Sequence, residues 1–188
     1  LAISECILRF ESSEDIESLQ KLKLYFQEVK YGIGVHKNPR EYGAIPTDPY
    51  SHTPAHKGAQ QPGMTGQVKE DVLTRWMELG VSVKSGLLSF RPSDLLSAEL
   101  LSQRTIWTYF ALSGKWVDLE LPKDSMAFTY CQIPIIYKQS NKDELRVSKS
   151  DGSQQISQEF ELDKALSEEI FNRSGNIDQI EVYFKSKI

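Results

Sequence analysis

The chain has 188 residues, of which 39% are hydrophobic, 10% aromatic and 26% charged, and this balance excludes collagen-like, disordered and disulfide-scaffold classes. Its 22 basic and 26 acidic residues leave a formal charge of -4, so no basic stripe favours nucleic acid, and no apolar run reaches the roughly 18 residues that a membrane span needs. Neither partner is expected. The length fits one domain or two small layers, with room for a real core.

The chain opens on Leu1, and its first ten residues lack the charged start and long apolar stretch of a signal peptide, so it reads as a piece of a longer protein. Cys6 and Cys131 are expected as buried free thiols, which leaves the compartment open.

Ile3, Ile7 and Phe10 fall on a helical period and predict a short first helix. Between Glu11 and Val29, Ile16, Leu19, Leu22, Phe26 and Val29 recur at three and four, the pattern of an amphipathic helix. Ser12 with Asp15 offers its start signal.

The segment Tyr31 to Gly66 holds all three histidines, five of the eight prolines and six of the eleven glycines, with no apolar period. A loop of this length in a compact domain is usually functional or disordered. Tyr31, Tyr42, Ile45, Tyr50 and Met64 are available to anchor it, so an ordered, functional loop is expected.

VKEDVLTRWMEL predicts a further helix, with Thr65 as N-cap, Glu70 and Asp71 in its acidic first turns and Gly80 as its stop. Val68, Val72, Trp76 and Leu79 share one face. Trp76 is expected to face the core, and Trp107 or Trp116 with it; tryptophans that stack on sugar at the surface are the alternative.

After Gly80 the text becomes a series of short extended runs, with Ser113-Gly114 and Asp151-Gly152 placed as hairpin turns and a short helix near Ser167 to Asn172. Pro134 argues against one unbroken strand from Met126 to Tyr137. The expected fold is therefore α+β. Residues 1–80 form helices around a long polar loop, and residues 81–188 an antiparallel β-sandwich.

Motifs for metal and cofactor are weak. His52 and His56 have HxxxH spacing, but Pro54 between them prevents the helix that would align them, and no Cys or HExxH partner follows. YGIGVHKNP lacks the third glycine and following helix of a dinucleotide site, and no G-x-S-x-G occurs. No metal or cofactor is expected. DPYSHTPAHKGAQQPGMTGQ differs in kind, combining Asp48, Tyr50, His52, Gln60, Gln61 and Gln67 with little aliphatic content. Carbohydrates, hydroxyl-covered with apolar C–H faces, are held by such amides, carboxylates and imidazoles. A rigid linker that satisfies its own backbone is the competing reading.

The stretch from YGIGVHKNP to GLLSFRP, above all the words DPYSHTP and QQPGMTGQVKE, resembles a block near the C-terminal end of large bacterial glycoside hydrolases of the six-hairpin, (α/α)6-barrel type. The resemblance implies that residues 1–80 are the end of such a barrel and that a β-sandwich follows. It also implies a bacterial source, with a periplasmic or extracellular site compatible with it. The partners implied are carbohydrate and the remainder of the parent polypeptide.

Glycoside hydrolysis needs two carboxyl groups across the scissile bond. The loop that carries the base in several relatives has Gln60 and Gln61 here, which leaves Asp48 and Glu70 as candidate catalytic carboxylates. Tyr50, His52, Gln60, Gln61 and Gln67 are the candidate substrate contacts. With the barrel incomplete, the isolated chain is expected to turn over nothing. Two alternatives stay open: a noncatalytic carbohydrate-binding or interaction module, and a phosphorylase-like glycosyl transferase with an anion site at Gly63–Gly66, ahead of a helix start.

Overall fold

The computed structural model describes residues 2–10, 15–32, 65–92 and 99–185. They fall into two compact units, Leu1–Met77 and Glu78–Ile188.

The first unit is helical. α1 (Ala2–Phe10) lies against α2 (Ile16–Gly32), and among the described residues Ile7 and Phe26 are their buried hydrophobic side chains. α2 starts at Ile16, the first residue of its apolar period, and Asp15 is the cap: its carboxylate accepts the Ser18 N–H at 3.0 Å and its carbonyl accepts Leu19 N–H. Hydrogen bonds from Ser18 hold the Asp15 carboxyl below its usual value. Cys6 is exposed rather than buried. At about 100° per residue it points away from Ser4, one of the buried positions of α1.

α3 (Thr65–Glu78) includes Thr65 as its first residue. Trp76 does not face the core as expected: it is 43% exposed, on the same flank as exposed Val72 and Leu73. Spacing fixes which residues share a face, not which face is covered. Gly80 does stop the helix. Its φ is +67°, and a Cβ there would lie 1.5 Å from the Arg91 carbonyl oxygen, so glycine is required.

The second unit opens with a hairpin, β1 (Val81–Lys84) and β2 (Leu87–Phe90), closed by Ser85-Gly86 with both φ positive, as a type I′ turn demands. A second antiparallel pair, β3 (Thr105–Phe110) and β4 (Trp116–Leu121), follows. β5 (Ser125–Tyr130), β6 (Ile133–Ser140), β7 (Glu144–Lys149), β8 (Gln154–Ser157) and β9 (Ile177–Lys185) form one sheet in the order β5-β6-β9-β7-β8, with α4 (Lys164–Phe171) leading into β9. Among the described residues no sheet closes into a barrel.

All pairs are antiparallel except β6 with β9, which is parallel. Here the structure departs from a purely antiparallel expectation, and the reason is topological. β9 arrives through α4 and lies between β6 and β7, whose three-residue connection passes its end, where Asp143 accepts the Lys185 N–H at 2.9 Å.

Period-two alternation sorts the sheet's faces. Ile135 and Tyr137, Ile180 and Val182, and Leu145 and Val147 point into one core with Leu88 and Phe90 of β2 and Leu166 and Ile170 of α4. Ser167 ties these layers together: its hydroxyl accepts the Leu88 N–H at 3.0 Å and donates to the Asp163 carbonyl at 2.8 Å. The fully buried Tyr137 hydroxyl donates to the Leu79 carbonyl, and burial pushes its phenol well above the usual range.

The break before Pro134 is a two-residue turn at Cys131-Gln132, both in the left-handed region at φ 49° and 66°, which leaves Cys131 half-buried. Pro134 then falls in the pair with Thr129, one step beyond the closing pair Tyr130–Ile133, where its missing N–H points away from β5; pairing with β9 begins only at Ile135.

Candidate functional site

Asp48, Tyr50, His52, Gln60 and Gln61 lie outside the described residues, as does the rest of 33–64. Gln67 and Glu70 fall within the first six residues of α3. Among the described residues no three His, Cys, Asp or Glu side chains gather to hold a metal ion.

The described chain places its largest exposed aromatic surface on the β3–β4 hairpin. The register is Thr105–Leu121, Ile106–Glu120, Trp107–Leu119, Thr108–Asp118, Tyr109–Val117 and Phe110–Trp116. Successive side chains alternate between faces. One face, with Trp107, Tyr109, Val117 and Leu119, is half-buried. Trp107 and Tyr109 stack on it with centroids 5.0 Å apart and planes at 20°. Burial, then the charge of Asp178, raises the Tyr109 phenol.

The opposite face is open along its whole length. Nearest the turn, Trp116 is 71% exposed and Phe110 45%, the two rings meeting edge to face at 5.3 Å. Next comes Thr108, whose hydroxyl donates to Asp118 Oδ1 at 2.6 Å. Last come Ile106, 70% exposed, and Glu120, paired with the Arg104 guanidinium. Trp116, Asp118 and Glu120 therefore lie in line on one strand, an aromatic plate followed by two carboxylates. The turn that aligns them is Ala111–Lys115, held by Ala111 N–H to the Lys115 carbonyl at 2.9 Å, with Gly114 at φ +75°.

Of the two tryptophans between which the expectation left the choice open, Trp107 lies on the half-buried face and Trp116 on the open one. The signal for this division was present: in TIWTYF and KWVDLEL, strict alternation divides the aromatic residues between two faces, so both cannot enter one core.

A second cluster sits on the large sheet, on the side away from its core. The ring of Tyr183 has Arg146 Cζ at 4.7 Å and Lys138 and Lys142 Nζ each at 5.4 Å from its centroid. Each cation is answered: Lys138 by Glu181, and Lys142 and Arg146 by Glu144. Hydrogen bonds from Lys142 and then Arg146 lower the Glu144 carboxyl, and Glu144 in turn raises Arg146. Three cations share two carboxylates around one ring, an arrangement that fastens β6, β9 and β7 to one another and leaves one net positive charge.

No protein-family profile and no curated protein matches this chain.

Proposed function

We propose that the chain is the C-terminal part of a carbohydrate-active enzyme, above all a glycoside hydrolase. In this reading the helices of the first unit close an (α/α)6-type barrel and the strands of the second unit supply the supporting β-sandwich. Asp48 and Glu70 are the catalytic candidates; Tyr50, His52, Gln60, Gln61 and Gln67 complete the sugar-binding surface. The resemblance carried by DPYSHTP and QQPGMTGQVKE supports the parentage.

The observation that carries carbohydrate contact by this chain is Trp116, 71% exposed with Phe110 edge-on behind it. A solvent-facing indole is costly to leave bare, and it matches the apolar C–H face of a pyranose ring. The test is a glycan array with the intact chain and with Trp116→Ala. Binding that disappears in the variant supports the reading; an empty array, or binding indifferent to the substitution, removes its main support. In the full-length parent, His52→Ala and Gln61→Ala are each expected to lower kcat/KM at least tenfold, about 1.4 kcal/mol of transition-state stabilisation.

A second reading, the noncatalytic binding module, is favoured by the position of the same tryptophan. Trp116 belongs to the second unit, which begins at Glu78. Binding retained after removal of residues 1–77, with no loss of activity in the parent's His52 and Gln61 variants, would favour the module over the enzyme.

A further inference from the structure

We infer that the open face of the β3–β4 hairpin selects cationic amino-sugar oligomers, glucosamine-type chains, over neutral ones. The inference rests on the carbohydrate reading above and adds the charge of the ligand. Trp116, Asp118 and Glu120 occupy alternate positions of one strand, so their side chains stand on one side in a row, each roughly 6.8 Å from the next.

The first of the three is a π surface, and tryptophan is the aromatic side chain that best accepts a cation. The other two are carboxylates. Each has capacity for about four hydrogen bonds, and only part of it is taken, by the Thr108 hydroxyl at Asp118 and by Arg104 at Glu120. A ligand complementary to this row has a flat apolar body for the indole and ammonium groups further along the chain for the carboxylates. Oligomeric amino sugars combine both. The net charge of -4 on the whole protein draws the same ligands to it. Arg104 already pairs with Glu120, so it competes with the ligand for that carboxylate.

The test titrates the intact chain with a glucosamine tetramer, its N-acetylated counterpart and tetra-lysine, reading indole fluorescence and NMR shifts at about 10 mM and again at about 150 mM salt. The charged tetramer should bind about tenfold tighter than the acetylated one at low salt, the yield of two exposed ion pairs, with the gap closing at higher salt. Asp118→Asn with Glu120→Gln should erase the preference while leaving the acetylated tetramer's affinity intact. Trp116→Ala should abolish binding of both sugars, and Arg104→Ala should strengthen the charged one.

Equal affinity for the two tetramers, with no effect of the carboxylate pair, overturns the inference and leaves the carbohydrate reading standing. Tetra-lysine binding as tightly, with the same dependence on Trp116, overturns it in favour of a basic peptide. If neither tetramer binds, the inference fails, and the glycan array with the parent's kinetics then decides the carbohydrate reading separately. All substituted side chains are exposed, so thermal melts should show each variant as stable as the parent chain.

Discussion

Removing one oxygen from the centre of the second unit should cost far more than its size suggests. Ser167 is fully buried, and its hydroxyl bridges α4 and β2 by accepting the Leu88 N–H and donating to the Asp163 carbonyl. In Ser167→Ala the two lost bonds are not equivalent. The Asp163 carbonyl keeps the backbone bond from Ser167 N–H at 3.0 Å. The Leu88 N–H loses its Ser167 partner in a wholly buried setting, since Leu88 itself is 0% exposed. An unsatisfied buried donor costs about 1–3 kcal/mol, so a loss of about 2 kcal/mol is expected, or a fall of roughly 8–12 °C in the melting temperature of a unit this size. The midpoint in urea should drop with an unchanged slope. Hydrogen exchange at the Leu88 amide should accelerate more than at Val147 or Ile180, which keep their strand partners. A loss below about 0.5 kcal/mol, with the Leu88 amide still protected, would refute the reasoning by showing that the hydroxyl does not carry that bond.

Gly80→Ala should be worse still: the added Cβ meets backbone at 1.5 Å, not a movable side chain, so a loss above roughly 3 kcal/mol or an insoluble product is expected on expression and melting. The Cys131-Gln132 turn holds two non-glycine residues at positive φ, and replacing them by Asn-Gly should stabilise the unit by about 1 kcal/mol, read from the urea midpoint. Glu144 has a folded-state carboxyl lowered from its ordinary value of 4.5, so its contribution is complete above that value and is lost as pH falls through the lower, folded one. Glu144→Gln should therefore be most damaging near neutrality, and the gap between variant and wild-type stability should narrow steadily below about pH 4.5. A gap constant from pH 7 to pH 3 would show that the ion pairs with Lys142 and Arg146 contribute nothing.

Local chemistry made much of this chain legible before any coordinates. The periods at Ile3, Ile7 and Phe10 and at Leu19, Leu22 and Phe26, the stop at Gly80, the turns at Ser113-Gly114 and Asp151-Gly152 and the break ahead of Pro134 each depend on φ, hydrogen-bonding capacity or side-chain spacing within a few residues. Such signals survive without knowledge of the neighbours. At the candidate site, the alternation in TIWTYF and KWVDLEL already separated Trp107 from Trp116.

Tertiary structure alone decided which of those faces is covered. The flank of α3 that carries Val72, Leu73 and Trp76 is as apolar in the text as those that bury Ile7 or Tyr137, and nothing within the helix itself distinguishes it; on the strand face that carries Trp116, the polar Thr108, Asp118 and Glu120 already marked the open side. The place of β9 was equally hidden. Its alternating Ile180 and Val182 show that one face is buried, but a period of two does not name a strand's neighbours. Insertion between β6 and β7, parallel to one and antiparallel to the other, follows from α4 carrying the chain back across β7 and from the apolar faces of β2, α4 and the sheet meeting in one core. Those contacts join residues far apart in the chain, and their energy exists only once the layers have closed.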